Sequence, residues 1–199
     1  MVALLCAALL CASAFPPPPA FAYAEEPVII GETIGYVTQV HGDVLHVVGE
    51  PLTNSGFESV RVRIGDAPVY DLRTGFKASR HVITKNTNLR IAYIVPPQAD
   101  TAAPLEAVVL WLNWNEADAA VFTVIASENF RNDTEGTVFL CSDGKYCISL
   151  APDTEILDSR GNRLSHANIT QGMEFFIWVD MITASSPALV FPHKVVQVE

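Results

Sequence analysis

Three residues around one turn have the types that a divalent metal takes: His41, Asp43 and His46, in the stretch His-Gly-Asp-Val-Leu-His. Two imidazoles and a carboxylate suit zinc or a neighbouring transition metal when a hairpin folds them together. The same residue types also populate ordinary exposed turns, so these spacings define only a weak motif. Cys141 and Cys147 form a second pair, flanking Ser-Asp-Gly-Lys-Tyr. A three-residue loop sets them opposite each other, where an oxidising compartment lets them bridge. A two-residue turn at Asp143-Gly144 sends them to opposite faces and forbids the bridge. The sequence is compatible with both geometries. Two cysteines alone are too few for a tetrahedral metal site.

Other reactive groups lack partners. Ser185 and Ser186 stand beside Pro187 with no base nearby in sequence, and Glu155 and Asp158 fall on a short strand and its turn rather than across a cleft. The chain has no Gly-x-Ser-x-Gly elbow, no phosphate-binding Gly-x-x-x-x-Gly-Lys loop, no His-Glu-x-x-His and no paired Cys and His nucleophile. The expectation is a protein that is not an enzyme and carries no cofactor. A small metal-dependent hydrolase using His41 and His46 is the remaining catalytic alternative. His81, His166 and His193 are isolated, and Asn132-Asp-Thr134 and Asn168-Ile-Thr170 match the short glycosylation acceptor pattern. Among the large aromatics Trp111, Trp114, Trp178, Tyr93, Phe175 and Phe176, the default is core. Trp114 is the exception, because it lies between Asn113 and Asn115. It either plugs an interface between modules, the preferred reading, or lines a ligand groove there.

The surrounding chain has 199 residues, half of them hydrophobic, with 12 Lys plus Arg against 22 Asp plus Glu and a net charge of -10. Such a balance repels phosphate backbones, and no basic stripe offsets it, so nucleic acid is excluded as a partner. No charge occurs before Glu25, and Val2 to Leu10 is apolar. Ala20-Phe-Ala22 and Ala22-Tyr-Ala24 both fit a small-residue cleavage site. Residues 1–24 therefore read as a signal peptide removed after Ala24, and the protein as secreted or extracytoplasmic. A basic residue is missing after Met1, so either translation starts further upstream, as expected here, or the signal is atypical. The run is too short to span a bilayer, and no transmembrane segment is expected in the mature chain. Neither Cys6 nor Cys11 sits in a lipoprotein signal, so no lipid anchor is expected.

Strand signals follow one another. Tyr36 to Val40 and Val44 to Val48 flank the His41-Gly42-Asp43 turn. Val60, Val62 and Ile64 alternate with Arg61 and Arg63, which predicts an inward apolar face. Val69 to Leu72, a helical turn within Ala78 to Ile83, Leu89 to Val95 and Val108 to Leu112 complete a first module at 28–112. Residues 113–120 read as a connector, and 121–199 as the second module. Val121 to Ala126 is a strand able to pair with Val108 to Trp114. The second module proper opens at Gly136, with a hairpin around Asp143-Gly144 and a strand at Thr154 to Leu157. Ser165 N-caps a short helix over His166 to Thr170, and Gly172 stops it. Met173 to Val179 runs apolar without alternation, which predicts burial on both faces. Ile182 to Pro192 is an irregular loop before a closing strand at Lys194 to Val198.

The two halves overlay. Asp71-Leu-Arg-Thr-Gly75 matches Asp158-Ser-Arg-Gly161, Ser79 falls on Ser165, Ile83 on Ile169, Asn86 on Gly172, and Leu89 and Ile91 on Phe175 and Ile177. Val108-Val109 falls on Val195-Val196, and Gly35 with Val37 on Gly136 with Val138. The shared positions are caps, turns and core, and the shared aspartate is a turn residue. The order of strands and a short helix is that of an OB-fold, which predicts a mainly β protein of two small OB-like β-barrel modules in tandem, each with one short helix. A small β-sandwich is the alternative.

The Gly-x-Val near the start, Thr-Glu-Ile-Leu-Asp, Gly-Met before an apolar strand, and Met-Ile-Thr-Ala-Ser-Ser-Pro before a final Val-Val strand resemble a group of secreted Gram-positive domains of unknown function. The resemblance covers most of Gly136 to Glu199, and Pro96-Pro97-Gln98 echoes it in the first half. It implies no catalytic residues. The expected function is non-catalytic binding at the cell envelope, to an unidentified envelope component or protein partner. Structural assembly by edge-strand pairing is the alternative. The expected ligand contacts are Trp114, the loop at Pro96, Pro97 and Gln98, and the loop at Thr183, Ser185 and Ser186.

Overall fold

The computed structural model describes residues 28–97, 103–115, 122–133 and 136–198. The first sheet holds β1 (Ile29–His41), β2 (Val44–Pro51), β3 (Ser59–Arg63), β4 (Val69–Asp71), β5 (Phe76–Lys77), β6 (Asn88–Val95) and β7 (Leu105–Leu112). The second holds β8 (Phe122–Asp133), β9 (Gly136–Cys141), β10 (Tyr146–Leu150), β11 (Glu155–Leu157), β12 (Glu174–Ile182) and β13 (Ala188–Gln197). The protein is mainly β, as the sequence predicts.

In the second sheet β8, β9, β10, β13 and β12 pair in a ring and close a five-stranded barrel, with β10 and β13 running parallel. The pairings of the first sheet also return on themselves, through β1, β2, β3, β7 and β6, with β3 and β7 parallel. In each sheet a short strand, β4 or β11, adds in parallel to the far end of the last strand. The predicted alternation on β3 is present: Val60, Val62 and Ile64 are buried. They join Val37, Leu45, Leu89, Ile91, Tyr93 and Leu110 in one core. Tyr93 is fully enclosed there, and its hydroxyl has partners: it receives the Phe57 N–H at 2.8 Å and shares a 2.8 Å bond with Thr33 Oγ1. That network ties the loop after β2 to β1 and β6, satisfying polar groups that would otherwise be costly to bury.

The two helical signals are single 3-10 turns, Arg80–Val82 and His166–Asn168. The caps are local chemistry. Ser79 Oγ accepts the His81 N–H, and Asn168 Oδ1 accepts both the N–H and the hydroxyl of Ser165. Asn86 and Gly172 both take positive φ, at 70° and 81°, the left-handed conformation expected of a helix stop.

Several expectations are corrected. Phe122–Asp133 does not pair with β7; it is the first strand of the second barrel, bonded to β9 and β12. Gly136 therefore opens the second strand of that barrel. Leu89 faces Gly35 and Phe175 faces Val124, so Gly35 corresponds to Val124 rather than to Gly136. Ile91 faces Leu110 and Ile177 faces Val195, which makes Leu110-Trp111, not Val108-Val109, the counterpart of Val195-Val196. The closing strand begins at Ala188, so the preceding irregular loop is only 183–187. Phe191 and Pro192, read as loop, lie in a strand that takes a bulged register against β12.

The unbroken apolar run in β12 has a direct explanation. Phe175 and Ile177 point into the second barrel, while Phe176 and Trp178 point out and are still buried. They meet Tyr70, Leu72, Trp111 and Trp114 of the first half, along with Leu157 and Val196. Tyr70 and Phe176 contact edge to face, 5.1 Å between centroids. Lys194 lies 4.4 Å over the Trp178 ring and donates to the Thr74 carbonyl of the first half at 3.4 Å. Gly75, at φ 83°, lets the backbone reach this seam: a Cβ there meets Trp178 at 2.7 Å and Val196 at 2.9 Å. Gly161, also at φ 83°, sits against Phe76 in return.

Replacing Gly75 by Ala forces both a left-handed alanine and a clash with Trp178. We expect a loss of at least about 2 kcal/mol in denaturant titration. Gly144→Ala, whose Cβ position is open, is the control for the φ cost alone.

Candidate functional site

The proposed metal trio is dispersed. Asp43 is engaged by Arg63 at 3.5 Å, and His46 Nε2 is bonded to Ser59 Oγ at 2.9 Å on the neighbouring strand. Among the described residues no three His, Cys, Asp or Glu side chains gather to hold a metal. The cysteines are free thiols. The hairpin register sets Cys147 opposite Leu140, so Cys141 and Cys147 lie on opposite faces, and the bridge left open by the sequence does not form. Cys141 is packed in the barrel core, and burial, with the charge of Asp143 and then Cys147 nearby, pushes its thiol up to about 12. A thiol so poor in thiolate is a weak nucleophile. We expect Cys141 to resist iodoacetamide in the native protein and to react once denaturant opens the barrel, as followed by mass spectrometry; labelling of Cys141 in the native state would contradict its placement.

The loop residues fare unevenly. Pro96 and Pro97 follow β6, whereas Gln98 lies outside the described residues. Thr183, Ser185 and Ser186 form a closed turn: Thr183 Oγ1 and Ser185 Oγ lie 2.6 Å apart, Ser185 Oγ donates to the Pro187 carbonyl, and Thr183 Oγ1 accepts the Leu189 N–H. The hydroxyls of Thr183 and Ser185 serve the turn, so these two offer little to a ligand. Asp180 and His193, both exposed, pair at 2.7 Å across the adjacent strands β12 and β13.

Trp114 is the expectation with the richest surroundings. It packs partly buried against the seam, and its indole N–H donates to Asn88 Oδ1 at 3.2 Å. Beside it opens a cleft of about 470 Å³ lined by Asp71, Arg73, Thr87, Asn88, Asn113 and Asn115, with Ala78, Val82 and Leu112 as its apolar wall. The volume is in the range of small-ligand sites. The cleft is built by the end of β7 and the β4–β5 turn. Asn113 takes φ 56°, an uncommon conformation for a residue with a side chain, and its Nδ2 donates to Asp71 Oδ1 at 2.8 Å. Asp71 Oδ1 also accepts the Arg73 N–H at 3.0 Å, and Oδ2 receives the guanidinium at 3.2 Å.

Partial burial works against the Asp71 charge, but the side-chain bonds from Arg73 and Asn113 and the Arg73 N–H outweigh it and hold the carboxyl below its ordinary value. Asp158, which the sequence overlay sets against Asp71, has the same turn role. Hydrogen bonds from the Asn162 side chain and backbone, then from the Arg160 N–H, hold its carboxyl low as well. The sequence singled out Trp114 and the turn aspartate separately. What it missed was that Asn88, Asn113 and Arg73 converge between them; the only available signal was Asn-Trp-Asn at the end of an apolar strand.

Comparison with known proteins adds no relative: no family model matches the chain, and neither a curated protein nor a solved structure is significantly similar to it. Among the described residues no helix is long and apolar enough to cross a membrane.

Because the folded-state pKa of Asp71 lies below the unfolded value of 3.8, its ion contributes stability above that value, lost as pH falls through the lower folded one. Asp71→Asn keeps the turn acceptor but not the charge. We expect its stability deficit in urea to be largest near neutral pH and to shrink toward zero below the usual carboxylate range. A deficit that does not change with pH would count against an ionised Asp71.

Proposed function

We propose that the chain is a secreted, non-catalytic recognition protein of two OB-like barrels in tandem, and that its ligand at the cell envelope lies in the cleft beside Trp114. The cleft carries this reading. It combines a carboxylate, a guanidinium and three carboxamides with a short apolar wall and an aromatic edge. Such a set recognises a polar molecule by directed hydrogen bonds, and it contains no paired nucleophile and base. The OB-like assignment draws on the ring order of the strands, the parallel closing pair and the 3-10 turn before the fourth strand of each ring. A duplicated unit is supported by the paired turns at Gly75 and Gly161 and the paired stops at Asn86 and Gly172. Secretion rests on the sequence of residues 1–24.

Assembly by edge-strand pairing draws less support. The short strands that end the two sheets, β5 and β11, are two and three residues long and offer little backbone to a partner.

Asn113→Gly tests the reading. Glycine accepts the positive φ at no cost and removes only the carboxamide that holds Asp71. We expect the folded variant to lose most of its retention on isolated envelope fractions, at least about tenfold against the unaltered chain. Equal retention by both proteins, or none by the unaltered chain, would remove the cleft as the binding site.

A further inference from the structure

Across the Arg80–Val82 turn from the Trp114 cleft, at the same end of the first sheet, two adjoining pockets share Val40 and Ile83. One, of about 260 Å³, is lined by Gly42, Asp43, Leu45, Ile64, Arg80 and His81 besides the shared pair. The other, of about 550 Å³ and more open, is lined by Thr38, Gln39, His41, Thr84 and Lys85. The charged and titratable groups facing this space are thus Arg80, Lys85, His41 and His81, against Asp43. The chain carries -10 overall, yet residues 28–97 hold seven Lys and Arg against six Asp and Glu.

The decisive feature is what these cations touch. Elsewhere in this half cations are committed: Arg63 to Asp43 and Glu106, Arg73 to Asp71, and Arg90 to Glu32 and the face of Trp111. Arg80 makes one long bond, 3.4 Å, to the Gly65 carbonyl, and no ion pair with the neighbouring Asp66. Among the described residues no hydrogen bond or ion pair engages the Lys85 ammonium or the imidazoles of His41 and His81. Asp43, the one carboxylate in the lining, is already bonded to Arg63. The pocket therefore presents several unspent donors from separate backbone positions around an apolar floor of Val40, Leu45, Ile64 and Ile83.

We propose that this end of the first sheet binds a phosphate ester, with Arg80 and Lys85 on its oxygens and the ester's organic body over Val40 and Ile83. Separate donors around a concavity suit a tetrahedral, multiply charged oxyanion better than a planar carboxylate, which one guanidinium fork satisfies. The site borders the same Arg80–Val82 turn as the Trp114 cleft but shares no lining residue with it, and it does not rest on the recognition reading. The phosphate can belong to a small metabolite or to a unit of a polyol-phosphate polymer.

Calorimetric titration of the purified chain at low salt tests this with inorganic phosphate, glycerol 3-phosphate and poly(glycerol phosphate). Arg80→Ala/Lys85→Ala is compared with Lys145→Ala/Arg160→Ala, which removes equal charge at exposed turns of the second half, and with Asn113→Gly. We expect glycerol 3-phosphate to bind more tightly than inorganic phosphate. Its Kd should rise at least about tenfold in the Arg80/Lys85 variant and stay unchanged in the other two. Binding of the polymer alone, with the same loss, supports the site and assigns the polymer as source. No heat with any probe, or equal weakening in both double variants, overturns the proposal.

Discussion

Trp178 and Val196 close directly on the backbone of Gly75, and the packing of the two halves against each other depends on that approach. A sheet in a small barrel normally turns one face inward and leaves the other to water. Here β12 and β13 hide both faces, one in their own barrel and one against Tyr70, Leu72 and Trp111. The second burial costs no extra strand. It needs a glycine where the opposing turn approaches and a cation over the indole, supplied by Lys194. The seam is apolar and aromatic and draws on both halves. The cleft beside Trp114 is lined by residues of the first half alone, so its walls belong to one barrel.

Much of this was legible in the sequence where a residue's own conformation carries the information. The glycines at 75 and 161, the stops at Asn86 and Gly172 and the caps at Ser79 and Ser165 are local devices, and each does what its type implies. The unbroken run Phe175 to Trp178 announced burial on two sides, although nothing local said that the second side was the other half of the chain. Strand partners were harder. Val108-Val109 and Leu110-Trp111 are both apolar pairs on one strand, and a two-residue slip keeps the same residues inward, so the pattern cannot choose between them. Only the bulge between Ala92 and Tyr93 and the pairing with β4 decide it. The first strand of the second barrel was misread for a similar reason: a β-branched run next to another invites pairing in sequence order, while the barrel pairs it with a strand some fifty residues on. The cleft was invisible because its polar residues come from three separated stretches, and each alone looks like an ordinary turn.

Charge is distributed with a comparable division of labour. The two turn aspartates spend their carboxylates on their own backbone and on neighbouring carboxamides and guanidinium. The arginines of the first sheet mostly bridge strands, so that Arg90 joins β1 to β6 through Glu32 and stacks on the next strand's Trp111. Such pairs, partly exposed, add little stability individually. Their effect is to fix long side chains in register on a surface where the backbone alone would tolerate slippage.

The ring of pairings also dictates an order of events. β13 bonds to β10, β11 and β12 together, and it supplies Val196 to the seam. As the chain emerges from a ribosome, the first ring has all its strands once Leu112 is free. The second ring stays open until the stretch ending at Gln197 arrives. Until then the face carrying Tyr70 and Trp111 lacks Val196, and β10, β11 and β12 lack the partner that aligns them. Closure of such long-range parallel pairs is intrinsically slow. In the closed ring β13 thus acts as a latch, joining β10, β11 and β12 through one strand.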